Sequence, residues 1–297
     1  MTNYREQMIQ ELELRNLSPS TQYGYLKAME GLLKFTSKDP EEVNVQDIKN
    51  YLHDFRNSNI IRERKTRSAS TVNKQVSGIL FYYHNILKRH NYIYEIPRMK
   101  KMSKNPTILS KEEIKNLISS VDNIMYKAVL MLLYSTGLRQ SELRNLKIND
   151  IDSERMILNI RGAKGGKDRQ AILSQELLDI LRKYWLVKAN KKSKWIFNPQ
   201  TDNYHGNGSS RPLSHTAIGY ILRIAKRESG ISKHLYPHCL RHTFAVHLIE
   251  AGTNLRHVQY LMGHADIRST IRYTYIADIK TVKSPNLLDG CDLGVWQ

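Results

Sequence analysis

The sequence predicts a mainly α-helical protein of two domains, with one small β-hairpin and sheet in the C-terminal domain. Three observations lead there. Apolar residues recur at three- and four-residue spacing through most of the chain, as on the buried face of a helix. Two short segments, residues 155–160 and 169–173, flank a glycine-rich tip and read as a hairpin. A proline-flanked, cationic stretch without periodicity, residues 94–106, separates a helical first part from the rest. At 297 residues the chain is long for one domain and comfortable for two.

The elements follow in order. Ser18 is placed to cap a helix whose first residue is Pro19, and Tyr25, Met29, Leu32 and Leu33 continue it at helical spacing. Residues 45–55 form another helix. A basic loop then carries Arg62, Arg64, Lys65 and Arg67, either a solvated turn or a set of phosphate contacts. Val72, Val76, Ile79, Leu80, Tyr83 and Leu87 mark the next helix. Past the linker, with its Lys100, Lys101 and Lys104, Ser110 and Glu113 make a capping box for a helix over 111–120. The apolar helix 123–136 is ended by Gly137 at the C′ position. The hairpin tip is Gly162-Ala163-Lys164-Gly165-Gly166-Lys167. Residues 174–189 are helical, 195–197 a short strand and 204–211 a loop. Helices over 214–228, 240–250, Leu255–Met262 and 269–276 complete the chain.

Composition narrows the partner. Hydrophobic residues make up 40% and charged residues 25%, ordinary for a soluble globular protein. The balance of charge is not ordinary: 46 Lys and Arg stand against 28 Asp and Glu, a net +18. Residues 1–106 and residues 107–297 are each net basic, so both parts are expected to touch one polyanion, unlike a basic tail on an acidic enzyme. Each phosphate neutralised by such a surface releases condensed counterions, which drives binding. No run of about 18 apolar residues is present to span a bilayer, and no helix sets a basic face against a broad apolar one, so no membrane partner is expected. Residues 1–15 lack the apolar core of a signal peptide. The two cysteines, Cys239 and Cys291, offer neither metal-ligand spacing nor a disulfide framework, so a reducing cytoplasm is the expected compartment.

Three boxes carry candidate chemistry. Thr136-Gly137-Leu138-Arg139-Gln140-Ser141-Glu142-Leu143 sets an arginine just past a helix-ending glycine. Pro237-His238-Cys239-Leu240-Arg241-His242 opens a helix on which His238, Arg241 and His242 share one face. That face suits a metal, since two histidines at i, i+4 can share zinc. It suits an anion better, because Arg241 offers a fork to phosphate oxygens beside a helix N-terminus. Leu261-Met262-Gly263-His264 follows, with Tyr273 nine residues after the histidine. Taken singly, such a histidine is ordinarily a cap and such a tyrosine ordinarily core.

Jointly, in this order and spacing, the boxes resemble the tyrosine recombinase (phage integrase) family, and are similar to Xer recombinases and integron integrases. The resemblance implies a helical core-binding domain (residues 1–93), a linker (94–106) and a tyrosine-recombinase catalytic domain (107–280), the two domains clamping DNA. The C-terminal tail (281–297), with Leu287, Leu288, Leu293, Val295 and Trp296, is apolar enough to dock on a neighbouring protomer or on its own domain. It implies six catalytic positions: Arg139, Lys164, His238, Arg241, His264 and Tyr273, with Glu142 supporting the first arginine. Lys167 rivals Lys164 and otherwise joins Arg62, Arg64, Lys65 and Arg67 as a DNA contact. Tyr275 is a second candidate nucleophile.

The implied chemistry fits these residue types. The two arginines clamp the non-bridging oxygens, a planar fork suiting phosphate better than an ammonium does. Tyr273 attacks phosphorus, His238 takes its proton, Lys164 protonates the leaving 5′-oxygen, and His264 donates to a phosphate oxygen. No cofactor, metal or ATP is expected, because the protein–DNA ester conserves the bond energy. The implied partners are double-stranded DNA and three further copies, a homo-tetramer on two sites, with an accessory recombinase or DNA-bending protein, in a nucleoid-associated cytoplasmic setting. The competing expectations are a type IB topoisomerase-like DNA-relaxing enzyme and a non-catalytic DNA-binding protein of the same fold.

Overall fold

The structure is a computed structural model that describes residues 4–57, 66–100, 105–162, 168–188, 191–199 and 211–277. The chain forms two compact units, residues 1–104 and 105–297. Among the described residues, no helix is long and apolar enough to cross a membrane.

The first unit holds α1 (Tyr4–Leu14), α2 (Pro19–Thr36), α3 (Val45–Asn57), α4 (Ala69–Asn85) and the short α5 (Tyr92–Glu95). Ser18 caps α2, its hydroxyl accepting from the Thr21 amide, and Pro19 is the first helical residue. Ser68 caps α4 in the same way. Met29 and Leu32 of α2 pack with Ile48 of α3 and with Val76, Ile79 and Tyr83 of α4 into one core. The Tyr83 hydroxyl, deep in that core, donates to the Pro40 carbonyl, so its burial leaves no orphan donor. Helix α1 has no counterpart in the expectations above. Only Met8 and Leu12 are buried on it, and a single i, i+4 pair is too sparse to register as a stripe.

The second unit contains α6 (Lys111–Ser119), α7 (Ile124–Ser135), α8 (Gln140–Arg144), a three-stranded sheet, α9 (Gln175–Val187), α10 (His215–Ser229), α11 (Pro237–Glu250), α12 (Leu255–Met262) and α13 (Arg268–Ile271). The Ser110–Glu113 capping box is formed in both directions. Strands β1 (Ile151–Asp152), β2 (Ile157–Ile160) and β3 (Arg169–Ile172) are antiparallel in the order β1-β2-β3, with Ile160 opposite Arg169 and Ile157 opposite Ile172. Strand β1 is two residues long, too short for an alternating pattern to show. The larger core lies among α6, α7, α9, α10 and the inner face of the sheet. A smaller one joins Ala245, Val246 and Ile249 of α11 to Val258 and Met262 of α12 and to Tyr273.

Three expected elements are corrected. Residues 195–197 make no strand. Trp195 forms one isolated antiparallel bridge to Lys147. Helix α11 begins at Pro237, three residues before 240, because a proline at the first position loses no hydrogen bond the helix could have made. The helix expected over 269–276 is only α13. After it the chain proceeds by i→i+3 bonds, Tyr273 N–H to the Thr270 carbonyl and Ile276 N–H to the Tyr273 carbonyl, the tighter 3₁₀ pattern that ends helices.

Candidate active site

Two helix ends build the site. Helix α7 stops where Gly137 takes φ +58°, a left-handed conformation that costs most residues but not glycine. A Cβ there would also strike the Phe244 ring at 2.4 Å. The turn delivers Arg139 to the start of α8, one turn before Glu142. Helix α12 stops in the same way at Gly263, φ +59°, where a Cβ would meet the Arg169 side chain at 2.7 Å.

Glu142 is the hub. Its carboxylate accepts from the Arg139 amide at 2.9 Å and from the Arg139 guanidinium at 2.6 Å. Arg169 donates to it at 2.9 Å, and Arg241 stands at 4.0 Å. Glu142, Arg169 and Arg241 are buried, while the Arg139 side chain keeps 18% exposure. Backbone carbonyls hold the guanidiniums from behind. Arg139 donates to the Gly263 carbonyl at 3.0 Å, Arg241 to those of Gly137 and Met262, and Arg169 to that of Leu261. One carboxylate among three guanidiniums leaves the pocket electropositive, which suits an incoming anion.

The charges set one another. Burial pushes the Glu142 carboxyl up, but the Arg169 charge and the hydrogen bonds from Arg139 and Arg169 outweigh it, so it lies below the usual carboxylate range. Burial, then Arg139, push Arg241 below the usual guanidinium range, with Glu142 opposing. Removing the carboxylate would strand three buried or half-buried cations. Glu142→Ala is therefore expected to destabilise the second unit by about 3–5 kcal/mol, measured as a lowered urea midpoint. A midpoint unchanged from wild type would show that the hub carries no such load.

The aromatic groups flank this cluster. Tyr273 is 2% exposed, and its hydroxyl lies 2.8 Å from His242 Nδ1. The His264 ring stacks near the Tyr273 ring at 6.4 Å, and His264 Nδ1 lies 2.8 Å from the Thr270 hydroxyl. Burial raises the Tyr273 phenol above its usual value, partly offset by Arg241, Arg272 and Arg139, so it carries its proton at neutral pH. Burial and the nearby arginines lower His264 to about 4, and burial with Arg272 lowers His242 to about 4. His238, on the first turn of α11, is lowered by desolvation and by Arg241 and Arg139.

These shifts imply a stability profile. An unfolded histidine titrates near 6.5, whereas His242 and His264 stay neutral in the fold down to about 4. Between those values the unfolded chain binds protons that the native chain refuses, so stability falls as pH drops from 6.5 toward 4. The loss is at most about 3 kcal/mol per histidine, read from urea midpoints across that window. Midpoints flat from pH 7 to 4.5 would contradict it.

The expected positions are distributed as follows. Arg139, Glu142, Arg241, His264 and Tyr273 come together in one cluster, and His238 feels the charges of both arginines. Among the described residues no hydrogen bond joins His238 to Tyr273. Lys164, Lys167, Arg62, Arg64 and Lys65 lie outside the described residues, as does the tail 281–297. Arg67 directly precedes the Ser68 cap of α4 and packs against α3, where its guanidinium donates to the Phe55 carbonyl and sits 4.0 Å over the Phe55 ring. Tyr275 is 85% exposed, turned away from the core that holds Tyr273. Among the described residues no group of three or more His, Cys, Asp or Glu side chains could hold a metal ion.

Three participants were missed from sequence: Arg169, Thr270, and His242 as a partner of the tyrosine. Arg169 left no signal in the letters. In the structure burial along β3 alternates, so Arg169 faces inward with Ala171 while Ile172 faces out, and an inward arginine requires a buried carboxylate.

Clamped arginines beside a buried phenol make an electropositive cluster that suits a phosphate group. Sequence comparison gives the family. Residues 107–279 match the model of the phage integrase family, and residues 4–93 match that of the phage integrase N-terminal SAM-like domain. The chain is 34% identical over 281 residues to "Putative integrase/recombinase y4qK" of Sinorhizobium fredii, covering 94% of this chain and 86% of that protein. It is 31% identical to the tyrosine recombinase XerC of Bacillus pumilus, covering 89% and 88%. Its fold matches the crystal structure of XerH site-specific recombinase bound to a palindromic difH substrate, with a TM-score of 0.69 at 20% identity, covering 94% of this chain and 81% of that one. The chain belongs to the phage integrase family. It is a site-specific tyrosine recombinase, an enzyme that transfers DNA strands.

Proposed function

We propose that the enzyme cleaves double-stranded DNA through Tyr273 and exchanges strands between two duplexes. The phenol oxygen forms a bond to phosphorus as the bond to the 5′-oxygen breaks, giving a 3′-phosphotyrosine and a free 5′-hydroxyl. His238 takes the phenol proton, and Lys164 gives one to the leaving oxygen. Arg139 and Arg241 bind the non-bridging oxygens and stabilise the charge that builds on them. With the Thr270 hydroxyl donating to Nδ1 of a neutral His264, the ring proton sits on Nε2, available to a phosphate oxygen. Attack by the 5′-hydroxyl of a second duplex reverses the chemistry on a new partner. Neither metal nor ATP enters these steps.

One observation carries this reading. The Tyr273 hydroxyl bonds His242, the residue next to Arg241 on α11 of the same chain, at 2.8 Å, which supports attack in cis with no neighbouring subunit needed to complete the site. Residues 1–93 then serve as the core-binding domain, 94–106 as the linker and 107–280 as the catalytic domain. Both domains grip one duplex, with Arg62, Arg64, Lys65, Arg67 and Lys167 on its phosphates. Four protomers act on two sites. The tail 281–297, with its apolar Leu287, Leu288, Leu293, Val295 and Trp296, docks on a neighbour. The setting is the nucleoid in the cytoplasm, with an accessory recombinase or DNA-bending protein as a further partner.

The test is to trap the covalent adduct on genomic DNA, sequence the attached ends, and place two copies of the recovered site on one plasmid. The reading requires DNA ends joined to Tyr273 and recombinant products. Relaxation of the plasmid with no exchange between sites would overturn it.

A further inference from the structure

The steps proposed above give His242 no task. Yet among the described residues it is His242 that bonds the Tyr273 hydroxyl, Nδ1 to Oη, at 2.8 Å. The two rings lie 5.6 Å apart at 44°. His242 directly follows Arg241 on α11, and successive residues of a helix point about 100° apart. The backbone that fixes Arg241 among the carbonyls of Gly137 and Met262 therefore also fixes an imidazole on the flank of the pocket, where the tyrosine enters.

We propose that His242 is the positioning residue of the nucleophile, its Nδ1 accepting the hydrogen bond of the Tyr273 phenol and setting where Oη stands beside the arginine cluster. This rests on Tyr273 being the nucleophile.

The local structure explains the need. Tyr273 is carried by i→i+3 turns after the four-residue α13, not by a long helix. Its ring packs among Ala245, Val246, Ile249, Val258 and Met262. Apolar contacts hold the ring among these side chains, but they are not directional. A hydrogen bond is, and it places the oxygen. The acceptor must be neutral, since an imidazolium has no lone pair to offer. Burial and the Arg272 charge keep His242 neutral at ordinary pH. That same weak basicity, set against a phenol raised by burial, makes His242 a poor sink for the proton. It holds the hydroxyl, and the proton leaves to another group. Misplacing a reacting atom by about 1 Å costs roughly 10²-fold in rate.

The experiment compares His242→Leu, which removes the acceptor, with His242→Asn, whose Oδ1 can accept where Nδ1 stood. Full-length proteins react in single turnover with a nicked duplex carrying the ends recovered from adduct sequencing, and binding to the same duplex is measured separately. His242→Leu is expected to slow adduct formation about 10- to 100-fold with affinity for the duplex within about 3-fold, and His242→Asn to recover most of the rate. In the protein without DNA, the fluorine resonance of 3-fluorotyrosine at position 273, assigned by its loss in Tyr273→Phe, is expected to move in His242→Leu and to return toward wild type in His242→Asn. If His242→Leu does not fold, His242→Gln replaces it, since its acceptor lies one bond further out and is expected to leave the reaction slow. Wild-type rates in the Leu or Gln variant overturn the proposal. So does an Asn variant as slow as Leu with an unchanged melting temperature. Adducts persisting in Tyr273→Phe would instead overturn the choice of nucleophile, while the fluorine shift still reports the hydrogen bond.

Discussion

Tyr273→Phe is expected to abolish the covalent protein–DNA adduct, lowering its rate of formation at least about 10⁴-fold, while leaving duplex binding intact. The phenol oxygen is the only atom lost, and without it no ester to phosphorus can form at that position. The ring remains in the cluster with Val246, Val258 and Met262, so packing is kept. The cost to the fold is the single hydrogen bond to His242, on the order of 1 kcal/mol, too little to unfold the unit. The measurement is a denaturing gel of protein incubated with a nicked duplex that traps the cleaved strand. Tyr275→Phe, made at a side chain 85% exposed, is the companion variant and is expected to form adduct at the wild-type rate. Adduct from Tyr273→Phe, lost instead in Tyr275→Phe, would move the nucleophile two residues along the chain.

Arg241→Lys is expected to cut single-turnover cleavage by roughly 10²–10³-fold, the loss typical of a deleted oxyanion donor, with duplex affinity falling less than about 3-fold. The substitution keeps the positive charge, so long-range attraction to DNA persists. It removes the fork. Arg241 spends donors on the carbonyls of Gly137 and Met262 and has further N–H groups left for a ligand, because a guanidinium carries five in fixed directions. An ammonium has three donors at one point and cannot satisfy two buried carbonyls while also reaching a phosphate. Lysine is preferred to alanine for this test. Alanine would also leave both carbonyls unpaired and weaken the fold, mixing stability with catalysis. Equal losses in affinity and rate would assign Arg241 to binding alone.

Much of this was legible before any coordinates. The caps at Ser18 and Ser110 and the helix-ending glycine at 137 stand where local chemistry placed them, since a cap is decided by a few adjacent residues. Helix-to-helix boundaries were legible for the same reason, except where tertiary contacts intervene. The 269–276 helix failed because its C-terminal half is tied into turns around Tyr273, and α1 passed unnoticed because it buries only two side chains. The site was legible as a set of residue types in order, and illegible as a set of contacts. Nothing adjacent to Arg169 announces that it meets Glu142, 27 positions earlier. Nothing adjacent to His242 announces a tyrosine 31 positions later.

The order of residues was enough to give the class: a largely helical, strongly basic chain bearing the arginines, histidines and tyrosine of a phosphate-transfer enzyme. Charge and periodicity are sums over residues and survive without coordinates. How those residues are held came only with the folded chain. The arginines rest on the carbonyls of Gly137, Leu261, Met262 and Gly263, and a carbonyl is the same group in every amino acid. What orients these arginine side chains is thus a backbone path, and a path leaves no letter of its own in the sequence.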